Sequence, residues 1–328
     1  RGQSTIIGPL MDAGYRNAHK DSYGTPFKMS WFMEMDGYIN NGIYADGSSM
    51  NYLTLYNTFE SNYGTELATW GDEMAYHHHF MTWNGTTWVQ LTDGSQLGTT
   101  YDEHNNALDR MVLDAGFFPT DFRSGWLWES NQLQAWIEQW MLADYGYGGA
   151  LAHPGGMNHW IIGSDGSGPN ATNLNAAFAQ AAATGKPVIY SWYCHDREYM
   201  SAFVTSVQSA ATAAQSSYGV PFRYATGKEA MQAVMNTTDT TPPTLAVSPA
   251  GGSSFNITSN EAVWNGKPYV AARYLAPSAM KYQHAAAVSS GPNTRKLVMF
   301  ARITSRRNSP RGLVFSCSTF PACATSTA

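Results

Sequence analysis

Three of the nine histidines in this chain, His77, His78 and His79, are consecutive within the run 71–83. In an extended segment successive side chains alternate between faces, so His77 and His79 project to one side and His78 to the other. Two imidazoles on one face can share a cation. A transition metal such as zinc suits that pair, and a carboxylate from elsewhere would complete three protein ligands with one position left for water. A solvated polar run is the alternative for the segment taken alone, and it is the neighbouring elements that weigh against it.

The chain has 328 residues, 43% hydrophobic and 13% charged, enough for a large core and best divided into one large domain and a small one. A net charge of −5 argues against nucleic acid as the main partner, because phosphate binding needs a concentrated basic face. No apolar run approaches the roughly 20 residues of a membrane span. Few lysines, many Ser, Thr, Asn and aromatic residues, four acceptor sequons at Asn84, Asn170, Asn236 and Asn256, and Arg1 in place of an initiator Met predict a processed, secreted, extracellular protein. Of three cysteines, Cys317 and Cys323 could close a small loop, leaving Cys194 alone and buried. No Gly-x-Ser-x-Gly elbow is present, and Cys194 beside His195 is a poor nucleophilic pair because adjacent strand residues face opposite ways.

Strand-like and helix-like pieces alternate over the first 235 residues. Strands are expected over 28–35, through the histidines, from Phe117 onward, over 187–193 and over 222–224, with a small hairpin around 87–91. Helices are expected over 50–63 with Gly64 as the stop, over 103–115 before Gly116, over 131–142, over 173–184 before Gly185, over 197–216, and from a capping box at Thr226 and Glu229 to about Val234. Such alternation predicts an α/β fold with a parallel sheet, open or closed into a barrel, and a site where strands end. The stretch 237–247 has a linker composition, so residues 1–236 form the expected first domain. Short β-like segments over 248–328 predict a small β-sandwich with an irregular basic tail.

With the strands so placed, the chain resembles the NodB-type polysaccharide deacetylase superfamily over about residues 28–235. Met33-Glu34-Met35-Asp36-Gly37 sits where that family has Thr-Phe-Asp-Asp-Gly, and the segment from Gly71 to His77 resembles its Gly-x-Glu-Ile-Ala/Gly-x-His. Phe122-Arg123-Ser124-Gly125-Trp126 resembles its Phe-Arg-x-Gly/Pro element, and Ser191 to His195 its closing strand. The resemblance implies a distorted (β/α) barrel holding one divalent metal ion, zinc first among the candidates, and acting on a polysaccharide or oligosaccharide.

Two departures matter. The family's second metal histidine falls on Met81, so His79, which shares a face with His77, takes its place, with His78 the other choice. The family's base aspartate falls on Met35, which cannot accept a proton; Glu34 and Asp36 flank it on one face. The implied assignment is Asp36, His77 and His79 to the metal and Glu34 to the base, with the roles of Glu34 and Asp36 exchangeable. Zinc would lower the pKa of its water from about 16 toward 7 and stabilise the oxyanion on an acyl carbonyl. His195 would protonate the leaving group, and Arg123 would orient the base carboxylate. An ordinary ion pair of Arg123 with Asp121 or Glu129 is the alternative for that residue. Other readings of the whole are a glycoside hydrolase using Glu34 with Asp36 or Asp72, and a carbohydrate-binding protein with a degenerate site. Trp126, Trp128, Trp160 and Trp192 are candidate sugar platforms, and His153 and His159 stay unassigned.

Overall fold

The computed structural model describes residues 3–34, 52–79, 81–83, 86, 88–90, 100–125, 131–146, 160–161, 165–195, 198–236, 244–251, 254–260, 268–275, 280–284, 287–291, 294–298 and 314–318. The strands of the first part are β1 (Ser30–Glu34), β2 (Glu73–His78), a hairpin of β3 (Met81–Trp83) and β4 (Trp88–Gln90), β5 (Asp121–Ser124), β6 (Ala143–Asp144) and β7 (Trp160–Ile161). β1, β2, β5, β6 and β7 form one sheet in that order, and every neighbouring pair is parallel. Parallel neighbours need crossovers, and the helices Tyr52–Trp70, Thr100–Arg110 and Asn131–Trp140 lie in those from β1 to β2, from β2 to β5 and from β5 to β6. β8 (Asp165–Ser167) and β9 (Trp192–Tyr193) make a second parallel pair on either side of the helix Ala171–Thr184. The chain is therefore a mixed α/β protein.

Strand alternation divides the sheet into two working faces. Met33, Tyr76 and Phe122 pack with Leu108, Met111, Leu133, Trp136 and Ile137 of the crossover helices. On the other face Ser30 and Glu73 meet the start of the helix Gly227–Val234: the Ser30 hydroxyl donates to Glu73 Oε2 at 3.1 Å, and the amides of Gly227 and Lys228 donate to Ser30 Oγ (2.9 Å) and Glu73 Oε2 (3.1 Å). The expected capping box opens that helix, with Thr226 and Glu229 each accepting from the other's amide.

The amino-terminal helices pack on Trp31, Phe59, Leu67 and Val204 in a second core, tied down by a fully buried ion pair. Both Asp72 oxygens accept from Arg16, at 2.9 and 2.6 Å, and they also take Met29 N and Trp31 Nε1.

Several boundaries differ from the sequence expectation for local reasons. The helix from Tyr52 runs through Gly64 to Trp70, since an interior glycine costs a helix only about 1 kcal/mol; the stop is Gly71, whose φ of 67° is left-handed. The helix Thr100–Arg110 continues as a π-helical turn, Met111–Ala115, before Gly116. Phe117 and Phe118 precede β5 and stack on Tyr56 and Tyr269. The strand expected over 187–193 is reduced to Trp192–Tyr193, while Ile189 and Tyr190 pack into two separate clusters. No strand forms over 222–224: the amides of Phe222 and Tyr224 go to Ser22 Oγ and Asp21 Oδ2.

Beyond Thr244 the described elements are all strands. β10 (Leu245–Gly251), β11 (Ser254–Ser259), β14 (Ala287–Gly291) and β15 (Thr294–Val298) form a four-stranded antiparallel sheet, and β12 (Tyr269–Leu275), β13 (Met280–His284) and β16 (Val314–Ser318) a three-stranded one. Tyr269 and Ala271 of β12 belong to the same core as Tyr76 and Trp136. The Tyr269 hydroxyl lies 2.9 Å from both the Asn105 carbonyl and Asp109 Oδ1. The segment 237–243, Asn84 and Cys323 lie outside the described residues, and so does most of the basic tail. Asn170 is exposed and caps the helix Ala171–Thr184, accepting from the amides of Thr172 and Asn173.

Candidate active site

At the carboxyl ends of β1, β2 and β5, Glu34 stands in register with His77, and His77 with Arg123. Registered residues of neighbouring parallel strands share a face, so these three look to one side. His78 goes to the other side, as the alternation predicts. It is 2% exposed, its ring is 4.9 Å from that of His104, and the Tyr76 hydroxyl lies 2.6 Å from His104 Nδ1. Burial lowers the pKa of both, that of His104 to about 3.

His79 returns toward Glu34. Glu34 Oε2 is 3.5 Å from His77 Nε2 and 3.4 Å from His79 Nε2, and one ligand atom from each of the three residues falls within 4.8 Å of the others. Such a group could hold a metal ion. The hydrogen bonding of His77 fits that use: its Nδ1 is 2.7 Å from the main-chain carbonyl of Arg123. A carbonyl only accepts, so Nδ1 carries the proton and the Nε2 lone pair faces Glu34 and His79. Burial lowers the His77 pKa to about 4, with the Glu34 carboxylate opposing, so the ring is neutral at neutral pH, the form that binds metal. Two imidazoles and a carboxylate suit zinc and also other first-row divalent ions.

Gly125, just after β5, leaves room for this arrangement. A Cβ there would stand 2.4 Å from both Cγ and Nδ1 of His79, so any side chain would drive the ring away. The sequence contains Gly125, but nothing in its pattern points to His79 as the neighbour.

His195 follows β9. Its Nδ1 is 3.1 Å from Glu198 Oε1, and its amide donates to Glu198 Oε2 at 2.8 Å, so one carboxylate fixes both ring and backbone. The Tyr193 ring meets His195 edge-on at 5.5 Å and lies under the Arg123 guanidinium, 3.8 Å from its carbon. Tyr193 thus links His195 to the row of Glu34, His77 and Arg123. Sequence reasoning missed both Tyr193 and Glu198. The one local signal was an acid three residues after His195 at the start of a helix.

Asp36, Met35, Glu129, His153, His159, Trp126 and Trp128 lie outside the described residues, as does the side chain of Trp160. Trp192 is packed against Phe203 and the core around Met200. Asp72 is held by Arg16 at the amino end of β2, away from Glu34. Burial raises the Cys194 thiol to about 12, which removes it from nucleophilic chemistry at neutral pH.

No family model, curated protein or solved structure matches the chain.

Proposed function

We infer that the chain is a secreted, metal-dependent hydrolase that removes acyl groups, acetyl above all, from a polysaccharide or oligosaccharide. Its fold is read as a distorted (β/α) barrel of the polysaccharide deacetylase type followed by a small β-sandwich. The observation that carries this reading is the convergence of Glu34, His77 and His79 at the carboxyl ends of two adjacent parallel strands, where α/β folds place their sites. Glu34, His77 and His79 would hold the ion. A divalent cation there supplies a Lewis acid for an acyl carbonyl and activates water.

The protein's own groups do the rest. His77 keeps its proton on Nδ1, against the Arg123 carbonyl. With Glu34 committed to the imidazoles, the base role passes to Asp36, the exchanged form of the sequence assignment. His195, steadied by Glu198, delivers a proton to the departing alkoxide or amine. The glycoside hydrolase alternative loses Asp72 to its ion pair with Arg16.

The test is acetate release from acetylated oligosaccharides by metal-depleted protein, before and after adding zinc. Zinc-dependent acetate release is the expected result. Shortened sugar chains without acetate would assign glycosidase chemistry, and no product from any acetylated sugar would leave a binding protein.

A further inference from the structure

The sheet face that carries Glu34, His77 and Arg123 holds a second group of acids at its other end. By strand alternation Glu73 shares a face with His77, and Asp121 with Arg123, while His77 and Arg123 stand in register. Asp121 is fully buried, and among the described residues no N–H group donates to either of its oxygens. Its hydrogen-bonding neighbours are the Glu73 carboxyl and the Thr120 hydroxyl, and that hydroxyl donates to Glu73 Oε1. Glu73 is the better supplied of the two acids. Its Oε2 also accepts from the Ser30 hydroxyl and the Lys228 amide, both at 3.1 Å.

Donors around Glu73 favour its ionised form, and two adjoining carboxyls in a buried site do not both ionise, so the proton belongs to Asp121. Burial first, and then the Glu73 carboxyl, raise Asp121 well above the usual carboxylate range, against the Thr120 hydroxyl and the Lys228 charge. The helix Gly227–Val234 closes over the pair. The Gly227 amide donates to Ser30 Oγ at 2.9 Å, the Tyr145 hydroxyl donates to the Gly227 carbonyl at 3.1 Å, and a Cβ on Gly227 would run into Asp121 Oδ2. Among the described residues the titratable groups facing Asp121 are therefore Glu73 from β2, Lys228 from the helix and Tyr145 after β6, whose phenol is kept neutral by burial and by the two acids. Nearby Lys28 and Glu229 are paired with each other.

We propose that Asp121 and Glu73 form an acid–carboxylate pair that latches the helix Gly227–Val234 onto the amino ends of the strands, and that loss of the Asp121 proton opens the latch. With the proton in place one negative charge remains, and it sits at the amino terminus of the helix, where the amides and the helix dipole favour it. Without the proton two anions face each other, and the charge of Lys228 offsets one of them at most.

The test uses the full chain in an Asp109→Asn background, because Asp109 is the other carboxyl among the described residues that burial pushes up. Infrared spectra across pH follow the protonated-carboxyl band of Asp121, and hydrogen exchange, corrected for the intrinsic rate, follows the amides of Gly227 and Lys228. Asp121 keeps its proton while the helix is seated and releases it near pH ~4 once the helix lifts. Protection should therefore fall by up to about tenfold per pH unit above about 4 and level off where the infrared band disappears. Asp121→Asn, neutral at every pH, should remove both the band and the slope, and Glu73→Gln should move the loss of the band to lower pH. A band or a slope that survives Asp121→Asn overturns the proposal, as does protection that stays flat with pH before that substitution. If Asp121→Asn does not fold, Glu73→Gln decides: a band that keeps its pH course there places the proton on another group and overturns the pair.

Discussion

The main-chain carbonyl of Arg123 holds His77 Nδ1 at 2.7 Å, and this one hydrogen bond fixes which ring nitrogen faces Glu34. The site is therefore built by strand pairing as much as by side chains, because β2 and β5 must be in register for carbonyl and ring to meet.

Metal content should follow the strand face. Wild type is expected to carry about one divalent ion per chain, and His77→Ala, His79→Ala and Glu34→Gln should each lower affinity by about 100-fold or more, as loss of one of three ligands does, against about 10- to 100-fold for an outer-shell partner. His78→Ala should keep the metal and lose stability instead, since His78 is buried against His104. Elemental analysis beside thermal melts checks this; metal loss in His78→Ala alone would reassign the site.

Gly125→Ala should fold and yet bind metal poorly, because the added methyl would overlap the His79 ring. Zinc titration of the variant, with circular dichroism to confirm the fold, reads this out. Unchanged affinity would mean that His79 is not a ligand.

Asp72→Asn should cost about 3–5 kcal/mol, the usual result of stranding one member of a buried ion pair, here Arg16. Metal binding should persist in whatever protein remains folded. Denaturant unfolding gives the first quantity and metal titration the second.

Stability should fall as pH rises from about 4 to about 7 through Asp109. This carboxyl is 2% exposed, accepts from Tyr269, and is pushed up to about 7 by burial. Below about 4 it is protonated in both folded and unfolded chains and contributes no pH dependence. Between about 4 and 7 the unfolded chain has released its proton while the folded chain retains it, so folding is progressively disfavoured, by up to about 1.4 kcal/mol per pH unit, and above 7 the effect levels off. Denaturant midpoints against pH should show this slope, and Asp109→Asn should flatten it. Tyr269→Ala should cost about 3–5 kcal/mol at any pH through the cavity it leaves.

Much of the frame was legible because its signals are local. The His-His-His alternation, the capping box of Thr226 and Glu229, and the helix stops at Gly116 and Gly185 each depend on a few neighbouring residues, and each stands as read. Gly64 misled because a glycine stops a helix only where the backbone turns left-handed, and that turn is at Gly71. Of the site, the pairing of His77 with His79 followed from strand period. That Glu34 would complete the pair depends on the register of β1 against β2, and that Tyr193 would lie under Arg123 depends on β9 approaching β5. Neither relation has a trace in sequence spacing.

The placement of Tyr269 also sets the order in which this chain can mature. Its side chain fills the core beneath Tyr76 and Trp136, although about 130 residues separate it from Trp136 along the chain. An emerging polypeptide could pair β1, β2 and β5 early, but the hydrophobic layer behind the histidines would stay open until β12 had been synthesised and had docked. A nascent chain arrested before that point would present its site on an unfinished, sticky scaffold, which calls for chaperone cover during synthesis and makes late folding the step at which this protein is most easily lost.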